Sequence, residues 1–132
     1  MQIDDSRPIW VQLVAELRLR IVSGQWAPGS RIPSVRELAS SAGVNPNTVQ
    51  RALAELDRTG LTAAERTAGR FVTADGAVLD AVRAELAAEA TDAYLASIAG
   101  LGMGLDEITD LLAARWPATD SWTTRHTKGE LS

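Results

Sequence analysis

The sequence contains no cysteine and a single histidine, His126. Without thiols there is no disulfide framework, no thiolate nucleophile and no cysteine-based zinc site, and one imidazole does not build a metal centre. No Ser/His/Asp or Cys/His set remains in a credible order, so the expectation is no catalytic residue, no metal and no cofactor. Aromatics are scarce, and Trp10, Trp26 and Phe71 read as packing residues rather than contact residues. No apolar run approaches the roughly 20 residues that span a bilayer. The start, Met1 to Arg7, is polar and acidic where a secretion signal would be basic and then apolar. A cytoplasmic chain without a membrane partner is expected.

What is present is a globular composition, 45% apolar and 23% charged over 132 residues. That length suits one domain with a short appendage and leaves no room for a large ligand-binding domain. The net charge of −4 is unevenly spread: residues 1–75 carry nine Arg against eight Asp plus Glu, and residues 76–132 carry four Lys plus Arg against nine. The first half is therefore net +1 and the second net −5, so charge permits an anionic partner for the first half without specifying one.

Ile9, Leu13, Leu17 and Ile21 recur every four residues behind Pro8 and before Gly24, which predicts a helix over about 8–23. Ser34 and Glu37 have capping-box spacing, opening a helix over about 35–42 that Gly43 ends. Asn45-Pro46 is an N-cap followed by a first-turn proline, opening a third helix over about 46–59 whose buried face is Val49, Ala52, Leu53 and Leu56. Leu61 to Glu65 and Arg70 to Thr73 read as two short strands joined by a turn at Arg66 to Gly69. After Asp75-Gly76 the chain becomes alanine-rich, and an amphipathic fourth helix is expected over about 77–99. Gly100, Gly102 and Gly104 form an interhelix turn, not a phosphate cradle, before a fifth helix from Leu105 to about Arg115. Residues 117–132 are polar and aperiodic and read as a flexible tail.

The segment from Val35 to Ala52 has the requirements of a helix-turn-helix: small Ala39 where two helices touch, Gly43 in the turn, and Val44, Val49 and Ala52 holding the second helix. With that face buried, Asn47, Thr48, Gln50 and Arg51 lie largely outside it at the start of the third helix. A major groove admits such a helix, and the amide of Asn47 or Gln50 can bond bidentately to adenine. Arg36 can reach guanine or phosphate, and the helix start at Ser34 can offer N–H groups to a phosphate. Arg66 and Arg70 flank the hairpin turn and would bring charge over the neighbouring DNA backbone or minor groove. For Arg36, Arg51 and Arg58 a solvated surface role stands beside the DNA role.

At these residues the chain resembles the GntR family of bacterial regulators, and within it the short YtrA-like branch. The resemblance rests on Pro8-Ile9-Trp10 with Gln12, and on Pro28-Gly29 with Ile32-Pro33-Ser34-Val35-Arg36-Glu37-Leu38-Ala39. It continues through Gly43-Val44-Asn45-Pro46-Asn47-Thr48-Val49-Gln50-Arg51-Ala52-Leu53, and through Leu56, Gly60-Leu61 and Gly69-Arg70-Phe71-Val72. It covers residues 8–73. It implies a winged helix-turn-helix whose DNA contacts come from Arg36, Asn47, Thr48, Gln50 and the wing tip; with the residue reading above, the candidate DNA-binding residues are Ser34, Arg36, Asn45, Asn47, Thr48, Gln50, Arg51, Arg66, Thr67, Gly69 and Arg70. The family often has a basic residue at the position of Pro46 and Arg at that of Gln50, so base preference does not carry over. Thr67 stands where the first wing glycine of the family is expected.

The expected fold is therefore mainly α: a winged helix-turn-helix with a small β-hairpin wing over 1–75, a two-helix dimerisation appendage over 76–116, and the tail. Two short helices do not bury both apolar stripes alone, so Leu79, Val82, Leu86, Ala90, Tyr94, Ile98, Ile108, Leu111 and Leu112 are expected at a homodimer seam; packing onto the chain's own winged domain is the other possibility. Such a dimer binds double-stranded DNA at an inverted repeat. The expected function is a bacterial transcription regulator, by default a repressor, of transporter genes or its own operon. The alternative is a winged-helix protein-interaction module. A small effector has room between the last two helices or at the seam, but no polar cluster specifies one.

Overall fold

The computed structural model describes Met1 and residues 3–117. The expected tail, with Trp122 and His126, lies outside the described residues except for Pro117.

Helix α1, Ile9–Val22, buries Leu13, Val14, Leu17, Ile21 and Val22, the face its four-residue spacing predicts. It also buries Gln12, whose side chain is satisfied: Nε2 donates to the carbonyls of Asp4 (2.7 Å) and Arg7 (2.9 Å), and Oε1 accepts from the Asp4 N–H. A buried amide with such partners avoids the desolvation penalty of an unpaired one, and here it ties the N-terminal segment to α1.

Helix α2, Val35–Ala42, starts with the predicted capping box, Ser34 Oγ accepting from the Glu37 N–H at 3.1 Å. It ends at Gly43, whose φ of +69° is left-handed and reverses the chain within the turn. Helix α3, Pro46–Arg58, follows at once and buries Val49, Ala52, Leu53 and Leu56. Helix α1 packs mainly on α3, and α2 on α3.

Strands β1, Thr62–Glu65, and β2, Gly69–Val72, form an antiparallel hairpin in which Thr62 pairs with Val72 and Ala64 with Arg70. The outer edge of β2 is not left bare. Arg31 bridges to Phe71, the Ile32 N–H donates to the Arg70 carbonyl at 3.0 Å, and the Val72 N–H donates to Ser30 at 2.9 Å. Residues 30–32 thus act as a short third strand, which the sequence does not announce because so brief an edge contact has no periodicity.

Helix α4, Gly76–Ile98, is followed by a 3-10 turn at Ala99–Leu101 and by α5, Leu105–Arg115. Leu79 and Val82 are buried in the same core as Leu17, Leu53 and Leu61, and Leu86 packs partly against it. That corrects the expectation that these three face a partner subunit: the exposed apolar edge of the winged domain is covered by its own chain. The Arg83 guanidinium reinforces the join by donating to the Val22 carbonyl, the last of α1, at 2.9 Å. Accordingly the first compact unit is Met1–Glu89, extending past the expected boundary at residue 75, and the second begins at Ala90. Nor does α4 carry one apolar stripe; only Leu79 and Val82 are buried along its 23 residues, since alanines surround the later turns. No described helix is long and apolar enough to cross a membrane.

Candidate nucleic-acid interface

The start of α3 is built to be exposed and rigid at once. Asn45 Oδ1 accepts from the Asn47 N–H at 2.7 Å, and Pro46 occupies the first turn, so the helix begins without fraying. Buried Val49, Ala52 and Leu53 fix its rotation. Asn47, Gln50 and Arg51 consequently stand in solvent, with Thr48 half-buried beside them. Asn45 also stands exposed, but its carbonyl oxygen is spent on the cap.

Arg51 is held in place: its guanidinium lies 4.2 Å from the centre of the Trp10 ring on α1. Such a stack contributes about 0.5–1 kcal/mol at an exposed site and restricts the side chain without neutralising it. Trp10 thus packs as expected and also supports a candidate contact residue.

Arg36 is exposed in the first turn of α2. The cap consumes the Glu37 N–H, leaving those of Val35 and Arg36 as first-turn donors that the helix itself does not bond. A cleft of about 340 Å³ opens beside them, between the start of α2 and the hairpin, lined by Ser34, Val35, Thr67 and Gly69, by three arginines (Arg31, Arg66 and Arg70) and by one acid, Glu65. Helix dipole, free N–H groups and excess guanidinium all favour an anion there.

Arg31 was not singled out by sequence. Its side chain lies across Gly69: a Cβ on Gly69 would sit 2.7 Å from Arg31 Nε, and Gly69 also has φ of +104°. The backbone angle is what calls for glycine here, since the exposed Arg31 side chain can swing aside for a Cβ. Thr67, by contrast, takes the place of a glycine without strain, since no non-glycine residue among those described has a positive φ.

Arg70 does not stand free at the hairpin as expected. Its Nε and Nη2 grip both oxygens of Asp57 at 3.0–3.3 Å, and Asp57 Oδ1 also accepts from Thr62 Oγ1 at 2.5 Å. Arg58 pairs with Glu55 one turn back on its own helix, which holds the Glu55 carboxyl below the usual carboxylate range and raises Arg58. Arg66 is exposed at the turn. The structure therefore groups Ser34, Arg66, Thr67 and Gly69 around the cleft, leaves Arg36 exposed in the first turn of α2, and sets Asn47, Gln50 and Arg51 along α3.

Comparison with known proteins agrees with this geometry. The family model described as bacterial regulatory proteins, gntR family, matches residues 10–72. A GntR family transcriptional regulator from Listeria monocytogenes superposes with a TM-score of 0.77 at 33% identity, over 85% of this chain and 98% of that one. The transcriptional repressor YtrA of Bacillus subtilis is 39% identical over 75 residues, 55% of this chain and 58% of the repressor. The DNA-binding domain of AraR in complex with operator ORR3 matches with a TM-score of 0.50 at 27% identity, over 55% of this chain and 88% of that one. The chain belongs to the GntR family of winged-helix transcription regulators, with the YtrA-like branch supported by the YtrA match.

Proposed function

We propose that this regulator represses transcription in the cytoplasm as a homodimer that seats two copies of α3 in successive major grooves of an inverted-repeat operator. The carrying observation is the exposed, capped start of α3, where Asn47 and Gln50 present amides and nothing apolar. A row of that kind suits base edges and makes a poor hydrophobic docking face. Gln50 and Asn47 read bases; Arg36 reads an adjacent base or phosphate; Arg66 and the first turn of α2 hold the backbone.

The homodimer is supported by the second compact unit. There Leu101, Leu105, Leu111 and Leu112 are exposed, while Ile108 is buried and Tyr94 and Ile98 half-buried. An isologous contact between two such faces would remove that surface from water. Repression follows from occupying promoter DNA, and the YtrA likeness suggests transporter genes or the protein's own operon as targets.

The test is binding to the DNA upstream of its own gene and to a random-sequence pool, titrated with salt. Selection of a palindromic site is expected, with Gln50→Ala and Arg36→Ala each costing about 1–3 kcal/mol of discrimination. Arg66→Ala should weaken all DNA alike and lower the salt slope by about 0.9. A pool that enriches no site overturns the reading.

A further inference from the structure

We propose that Arg70 is a positioning residue, one that locks the wing to the recognition helix through Asp57 instead of touching DNA; this rests on the DNA-binding reading above. The helix and the wing are two separate readers on one scaffold, and the angle between them decides whether both engage one duplex. Asp57 sits in the last turn of α3 and receives three side-chain donors from the hairpin. Thr62 Oγ1 comes from the first residue of β1, and Nε and Nη2 of Arg70 come from the middle of β2. The pair is partly shielded, Arg70 being 20% and Asp57 31% exposed, and Thr62 is buried beside it.

The backbone of Arg70 is pinned from the other side, its carbonyl accepting from the Ile32 N–H. Strand β2 is thus held to α3 by a side chain and to the segment at 30–32 by its main chain, both at one residue. A fork gripping a carboxylate with two parallel bonds fixes direction as well as distance. It commits the Nε–Nη2 edge of the Arg70 guanidinium to Asp57 and sets its charge against a carboxylate, so Arg70 is a weaker phosphate ligand than Arg31 and Arg66, which line the same cleft. Lysine cannot supply that fork.

The lock and a direct contact predict opposite signs. If Arg70 touched phosphate, Asp57→Asn would release it and remove a negative charge, tightening specific binding. As a lock, Asp57→Asn, Arg70→Gln and Arg70→Lys each lower the ratio of operator to random-DNA affinity on the order of tenfold, and the double variant does no worse than either single. The salt slope stays at its wild-type value in Arg70→Gln while Arg66→Gln loses about 0.9. Tighter operator binding by Asp57→Asn, or a slope loss in Arg70→Gln, overturns the proposal.

A measurement without DNA separates this from the functional reading. Amide hydrogen exchange of the free protein should quicken at residues 62–72 in both single variants, with α1 unchanged. Unchanged exchange in the wing sinks the lock whatever DNA does; a wild-type protein that selects no DNA sinks the functional reading and leaves exchange to decide the lock.

Discussion

In the unit from Met1 to Glu89, Leu13, Leu17, Leu38, Leu53, Leu56 and Leu61 are all buried, whereas from Ala90 onward Leu95, Leu101, Leu105, Leu111 and Leu112 are all exposed. Both stretches contain leucine at helical spacing, so residue type and periodicity do not distinguish them. What differs is whether the chain supplies the facing surface. Around α3 it does so three times, from α1, α2 and β1; around α5 it buries one side chain, Ile108. The first unit is complete in itself, whereas the second leaves most of its leucines exposed within one chain, the surface that the proposed homodimer would cover.

The largest effect that tests this contrast is cavity formation. Leu53 is 1% exposed and Leu105 is 81% exposed. Leu53→Ala should cost about 3 kcal/mol in denaturant unfolding, and Leu105→Ala less than about 0.5 kcal/mol when monomers are compared. Equal losses would break the contrast, because both leucines would then belong to one finished core.

Next in size is the loss of the partner. Leu111→Asp combined with Leu112→Asp places two charges on the exposed face of α5, and sedimentation should report a monomer. Two linked half-site contacts become one, so operator affinity should fall on the order of 100-fold, while the unfolding transition of the winged unit stays in place. A dimer that survives both substitutions would move the seam elsewhere on the chain.

The winged unit was the legible part of the sequence because its signals are local. The Ser34–Glu37 box, the glycine at 43 and the Asn45-Pro46 start each need only four or five residues to be recognised, and the structure has them all. Contacts across long stretches of chain were not legible. The Arg70–Asp57 pair spans 13 residues between a helix end and a strand, the Arg83–Val22 bond spans 61, and neither leaves a repeating pattern. For the same reason Leu79 and Val82 read as a dimer stripe: periodicity says that a helix face is buried, but not by which surface. Arg31 carries no local signal either, because it meets Gly69, 38 positions later in the chain, only through the fold.

The smallest expected effect distinguishes two ion pairs on the last turns of α3. Arg58 binds Glu55 within the helix, in solvent, while Arg70 binds Asp57 across to the wing. Arg58 beside it keeps the Glu55 carboxyl below its ordinary range in the folded protein. A carboxyl lowered on folding stabilises above its unfolded pKa, and that contribution fades as pH falls through the folded value. In denaturant unfolding from pH 7 to pH 3, Glu55→Gln should therefore be slightly less stable than wild type near neutrality and converge on it in acid, with operator affinity at pH 7 unchanged because this pair bridges no two elements. A stability gap that persists at pH 3 would mean that Glu55 contributes through packing rather than charge, and a fall in operator affinity would give the Glu55–Arg58 pair the positioning role assigned to Asp57 and Arg70.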